Sequence, residues 1–233
     1  MNDRFYEEIP SDPSVSIKSQ QDRIISDMFI RGEITEKVSQ FLLEGGCKLS
    51  EFYHLLKTHS IPVHETNIGD WLQQTGFHIR GIISGRQAPT ERLAGFLDHF
   101  LQPGMQNLET FLKDTKHMLQ LIEGINEQID NGSLSLDGVG LVTLDLEKMY
   151  NNITDELGMG AEKSYLDSRS YQGGTNFANQ DPVVSTNSLM TGLKLCLEKN
   201  YFKFNNKVYR QKGGVGTGIK LAPPICMFSS GGV

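Results

Sequence analysis

The chain has 233 residues, a net charge of −6, 38% hydrophobic and 21% charged residues, which allows one large domain or two small ones with a real core. No apolar run approaches membrane-spanning length, and Met1-Asn2-Asp3-Arg4 lacks the basic-then-apolar opening of a signal peptide, so an intracellular protein, nuclear or cytoplasmic, without a membrane partner is expected. The acidic balance argues against nucleic-acid binding as a property of the whole surface, because neutralising phosphates takes clustered Lys and Arg.

Residues 1–20 are polar, carry Pro10 and Pro13, and read as a flexible lead-in. Residues 21–50 read as packing helices, with Ile24, Ile25, Met28 and Phe29 on one apolar face and Val38, Phe41, Leu42 and Leu43 on another, stopped at Gly45-Gly46. Strands are predicted near 52–58 and 77–83. Thr90 is a fair N-cap for a helix over 90–101, whose Leu93, Phe96, Leu97, Phe100 and Leu101 face a core until Pro103-Gly104 ends it. Met118, Leu119, Ile122, Ile125 and Ile129 give a second helix over 115–130, also with a core face. A strand at 141–145 follows, then helices over 155–168, capped by Thr154, and 186–199, capped by Ser185 or Thr186. Strands at 201–204 and 207–211 flank Asn205-Asn206, a pair that tolerates the positive φ of a two-residue hairpin turn. Cys47, Cys196 and Cys226 lie far apart without metal-ligand spacing and read as reduced, buried thiols.

The chemistry is concentrated in Leu141-Val142-Thr143-Leu144-Asp145-Leu146-Glu147-Lys148-Met149-Tyr150. A short apolar strand ends there in one carboxylate, Asp145, which needs water, hydrogen bonds or a metal to receive its charge. Taken alone, this fragment is more simply read as a strand-ending Asp that caps the next turn. Lys203, Lys207, Arg210 and Lys212 crowd one short region, either as a phosphate-binding patch or as a solvated face. The glycine-rich Gly213–Gly218 segment nearly spells a P-loop, but its lysine, Lys220, comes one residue late. Pro223-Pro224 is also expected to leave no room for the helix whose N-terminus would hold the phosphate. What the glycines supply is backbone that a bulky ligand can approach closely.

Four stretches in order resemble the motifs of reverse transcriptases, nearest to those of Penelope-like and related non-viral retroelements. Leu55-Leu56-Lys57-Thr58-His59 resembles the fingers strand written L-P-K-I-H, with Leu56 in place of the proline. Arg80-Gly81-Ile82-Ile83-Ser84-Gly85, with Ala88-Pro89-Thr90 after it, resembles R-P-I-x-S-G followed by S-P-T. Leu144-Asp145 through Tyr150-Asn151-Asn152-Ile153 resembles motif A, and Tyr209-Arg210-Gln211 through Leu221-Ala222-Pro223 resembles motif B, with Ile219-Lys220 standing where Ser-Pro is common.

The resemblance implies an α+β fold, the partial fingers and palm of a right-hand polymerase, with antiparallel palm strands packed with helices. It implies a fingers-like region with connecting helices over 51–140, a partial palm over 141–224 and a divergent tail over 225–233. It implies an RNA-directed DNA polymerase, a nucleotidyltransferase acting on an RNA template, a DNA primer and deoxynucleotides. Asp145 would be the catalytic carboxylate and would hold magnesium with the backbone carbonyl of Leu146, one of two Mg2+ ions in the intact relative. Arg80, Lys57, Tyr150, Gly214 and Gly218 would bind the nucleotide, Arg80 through its planar guanidinium. The Y-x-D-D carboxylates do not occur in these 233 residues. A truncated copy or partial gene model, inactive as it stands, is therefore expected, and a non-catalytic remnant or interaction module is the alternative.

Overall fold

The computed structural model describes residues 5–57, 67, 69, 79–137, 140, 142, 149–168 and 183–230. Among them the order is β1 (Tyr6–Ile9), α1 (Ser14–Ile30), α2 (Glu36–Leu43), β2 (Ser50–Leu56), β3 (Ile79–Ser84), α3 (Glu91–Gln106) and α4 (Thr115–Asp130). There follow α5 (Met149–Asn152), α6 (Asp155–Asp167), α7 (Thr186–Glu198), β4 (Tyr201–Phe204), β5 (Lys207–Gln211) and α8 (Ala222–Ser230). The fold is α+β. The strand expected at 141–145 lies outside the described residues.

The strands make one sheet in the order β1-β5-β4-β2-β3. Every neighbouring pair is antiparallel except β2 and β4, which run parallel with Ser50 opposite Phe202. Two antiparallel strand pairs far apart in sequence, β2–β3 and β4–β5, thus share one sheet. The β4–β5 turn forms as its sequence demands, with Asn205 and Asn206 at φ 49° and 60°. Aromatic rings hold the sheet's own cluster: Phe202, fully buried, lies 5.4 Å from Tyr6, 5.5 Å from Phe52 and 5.7 Å from Tyr209 between ring centroids.

The main core is helical. Ile25 and Met28 of α1, Leu93, Leu97 and Phe100 of α3, Leu189 and Leu193 of α7, and Ile225 of α8 pack together. Thr154 and Ser185 cap α6 and α7, accepting from the backbone N–H groups of Leu157 and Ser188.

Several expectations are corrected. The segment read as a flexible lead-in contributes β1, paired with β5, and the start of α1 at Ser14. Pairing decides this, because a polar strand holds once its backbone groups join a ladder and its acids meet cations on β5. Helix α3 runs through Pro103 and Gly104 to Gln106, since Gly104 lets the ring of Tyr165 on α6 approach and Met105 is buried. Thr90 makes no side-chain cap; instead Glu91 accepts from the backbone N–H of Gln87 at 2.7 Å. Pro223 and Pro224 open helix α8 rather than block it, because proline in a first turn removes only N–H groups that have no intrahelical partner. Residues 225–230 of the tail form the body of that helix. Cys47 is exposed, while Cys196 and Cys226 are buried.

The largest correction is α4. Its apolar stripe is not a core face: no residue of the helix is buried, and Met118, Leu119, Leu121, Ile122 and Ile125 are between 42% and 60% exposed. Helical periodicity shows that a face is apolar but not that anything covers it.

Candidate functional site

The glycine-rich segment after β5 lies between β3 and α5. Its Val215 N–H donates to the carbonyl of Tyr150 at 2.7 Å, and its Thr217 carbonyl accepts from Ile83 N–H at 2.8 Å. One short loop therefore holds the segment beginning at Met149 beside the strand that carries Arg80. Two of its glycines are required there. Gly214 has φ +80°, and a Cβ on it would lie 2.7 Å from the Tyr150 carbonyl oxygen. Gly218 has φ +115°, and a Cβ on it would lie 2.5 Å from the carbonyl oxygen of Ile83. Both positions lie in the left-handed region, where side chains are strained, and both press on backbone that cannot step aside.

A pair of buried amides anchors the loop. Asn200 Nδ2 donates to Gln211 Oε1 at 2.8 Å, and Gln211 Nε2 donates onward to the Gly213 carbonyl at 2.9 Å. The backbone repeats the link, since Gln211 N–H donates to the Asn200 carbonyl at 2.9 Å. These amides were not legible as site residues. Gln211 belongs to a quoted motif, but only the fold shows that its side chain sets the loop, and Asn200 carries no signal in its spacing.

Tyr150 is half-buried on α5. Burial raises its phenol above the ordinary value, the nearby Cys226 adds to this, and the positive charge of Arg80 opposes both. Arg80, exposed on β3, is thus close enough for its charge to be felt at the Tyr150 ring. Its cross-strand partner is Leu55, so Lys57, two residues further along and just past β2, belongs to the same end of that hairpin. The structure accordingly brings Tyr150, Arg80, Gly214 and Gly218 to one region. Asp145 and Leu146 lie outside the described residues.

Two members of the basic run between Lys203 and Lys212 face acids. Lys207 Nζ lies 2.8 Å from Glu8 and Arg210 lies 3.4 Å from Glu7, both across the β1–β5 pair. Such exposed pairs add little stability, but they leave less unpaired charge for a phosphate. Among the described residues no group of three or more His, Cys, Asp or Glu is placed to hold a metal ion, and no helix is long and apolar enough to cross a membrane. Comparison of the chain with protein-family models, curated proteins and solved structures finds no match.

Proposed function

We propose that this chain is part of the fingers and palm of a reverse transcriptase of the non-viral retroelement kind, an RNA-directed DNA polymerase in its intact form. The observation that carries the reading is the loop between Gln211 and Leu221, hydrogen-bonded to Tyr150 on one side and to Ile83 on the other. Three stretches that resemble separate polymerase motifs meet through it, and motif residues share a purpose only if they converge. Arg80 would hold the triphosphate, with Lys57 as a second cation at the same hairpin end. The ring of Tyr150 would lie under the sugar and occupy the space that a 2′-hydroxyl needs. Magnesium, held by Asp145 and the Leu146 carbonyl, would supply charge stabilisation to the phosphoryl oxygens. Of the motif A stretch only Asp145 stands at the metal-ligand position, and Glu147 is not taken to replace the Y-x-D-D pair, so the isolated chain is read as a nucleotide-binding part that does not polymerise.

The test is magnesium-dependent binding of dATP to the purified chain, followed by ligand-observed NMR. Binding should be lost in Arg80→Gln. Tyr150→Ala should narrow the preference for dATP over ATP, while Tyr150→Phe keeps it. With a primed RNA template and deoxynucleotides, incorporation should not exceed that of an Asp145→Ala control. Equal binding of dATP by the wild type and Arg80→Gln would sink the nucleotide site and favour the remnant or interaction-module reading.

A further inference from the structure

A cavity of about 310 Å³ lies where β2, β3 and β4 meet the start of α3 and the end of α7, with Gly218 in its lining. That is within the size range of small-molecule sites. Three cations line it, Arg86, Lys199 and Lys220, from three separate parts of the chain. Among the described residues none of their side chains has a hydrogen bond or ion pair. Lys220 lies against α3, where a Cβ on Gly95 would meet its Nζ at 3.2 Å. The one carboxylate in the lining, Glu91, is engaged by the backbone N–H of Gln87 at 2.7 Å. Two tyrosines, Tyr53 and Tyr201, and the aliphatic side chain of Ile82 complete the walls the ligand would touch.

Arg86 and Lys220 are exposed and Lys199 is half-buried, so water screens their repulsion, while an anion seated between them would gain from all three. In a chain of net charge −6, this cavity is a local exception. Three positive groups against one engaged carboxylate suit a dianion. A phosphomonoester carries −1.5 to −2 at neutral pH, whereas a phosphodiester carries a single negative charge and would leave the cations underneutralised. The tyrosine rings and the aliphatic wall suit a flat, partly apolar body beside that phosphate.

We propose that this cavity binds a nucleoside 5′-monophosphate group, with the phosphate among Arg86, Lys199 and Lys220 and the base against Tyr53 or Tyr201. The group could be a free nucleotide or the 5′-phosphorylated end of a strand. The inference uses neither Asp145, Arg80 nor Tyr150, although Gly218, assigned above to the nucleotide site, also lines this cavity, so the two regions adjoin.

The test is calorimetric or NMR titration of the full 233-residue chain with AMP, adenosine and the methyl ester of AMP, a matched phosphodiester. AMP should bind at least about tenfold more tightly than either of the others. Lys220→Gln and Lys199→Gln should each weaken it by about tenfold, as expected for loss of one charge-assisted contact. Arg80→Gln and Tyr150→Ala should leave AMP binding unchanged, which separates this site from the one proposed above. The 5′-phosphorylated and 5′-hydroxyl forms of a short oligoadenylate distinguish the sources. Preference for the phosphorylated form, at an affinity no weaker than AMP, assigns a strand end; exclusion of both assigns the free nucleotide. Equal binding of AMP and its methyl ester, of AMP and adenosine, or of both oligoadenylate forms would overturn the proposal, as would glutamine variants that bind AMP like the wild type.

Discussion

Glu162 on α6 is fully buried, and neither of its carboxylate oxygens has a hydrogen-bond partner among the described residues. It lies in the seam between α6 and α8, close to Cys226. Burial pushes its carboxyl from the ordinary 4.5 up to about 8. The folded state therefore holds a proton that the unfolded chain has already lost over that range. The stability this proton confers is complete below pH 4.5 and is lost as pH rises to about 8, where the buried group ionises. The gap is worth at most about 5 kcal/mol, and less if the seam opens enough to admit water. Cys226, raised to about 12 by burial and by Glu162, stays a neutral thiol through the same window. Glu162→Gln removes the titration while keeping the shape. Urea unfolding at pH 5, 7 and 9 should give similar stabilities for wild type and variant at pH 5. The variant should gain at pH 9 by more than about 1 kcal/mol, a melting-temperature difference of about 2–4 °C per kcal/mol for a chain of this size. Parallel stability profiles for the two proteins between pH 5 and pH 9 would refute the buried, unpartnered carboxyl.

Two further outcomes follow from the packing. Gly214→Ala forces a side chain into a backbone of φ +80° and against the Tyr150 carbonyl, so it should cost about 1–3 kcal/mol or more in denaturant unfolding; a cost below about 0.5 kcal/mol would mean that the loop is not held as described. Leu97→Ala, at 3% exposure in the helical core, should cost about 2–5 kcal/mol, whereas Leu121→Ala, at 52% exposure on α4, should cost less than about 0.5 kcal/mol in the same chain.

Local chemistry was legible where one short stretch decides its own conformation. Asn205-Asn206 fixes a hairpin, and Thr154 and Ser185 begin helices at the residues expected, because a side-chain oxygen three positions before an N–H satisfies it without help from elsewhere. Where a distant partner decides, the sequence was silent. The polar stretch at the N-terminus is a strand only because β5 is there to pair with it. Pro223-Pro224 looks like a stop, yet it opens a helix whose Ile225 and Cys226 are buried among α6 and its neighbours.

The same distinction governs charge. In the visible basic cluster, Lys203 to Lys212, two of the four cations meet acids: Glu7 and Glu8 stand across the ladder from Arg210 and Tyr209, and they pair with Arg210 and Lys207. Arg86, Lys199 and Lys220 form no run in sequence, yet they line a single cavity without partners. A count of cations along a chain measures how many are supplied, while binding depends on how many remain unpaired after folding. An acidic protein can therefore hold an anion site, provided the fold gathers its unpaired cations around one cavity and sets its acids against the others.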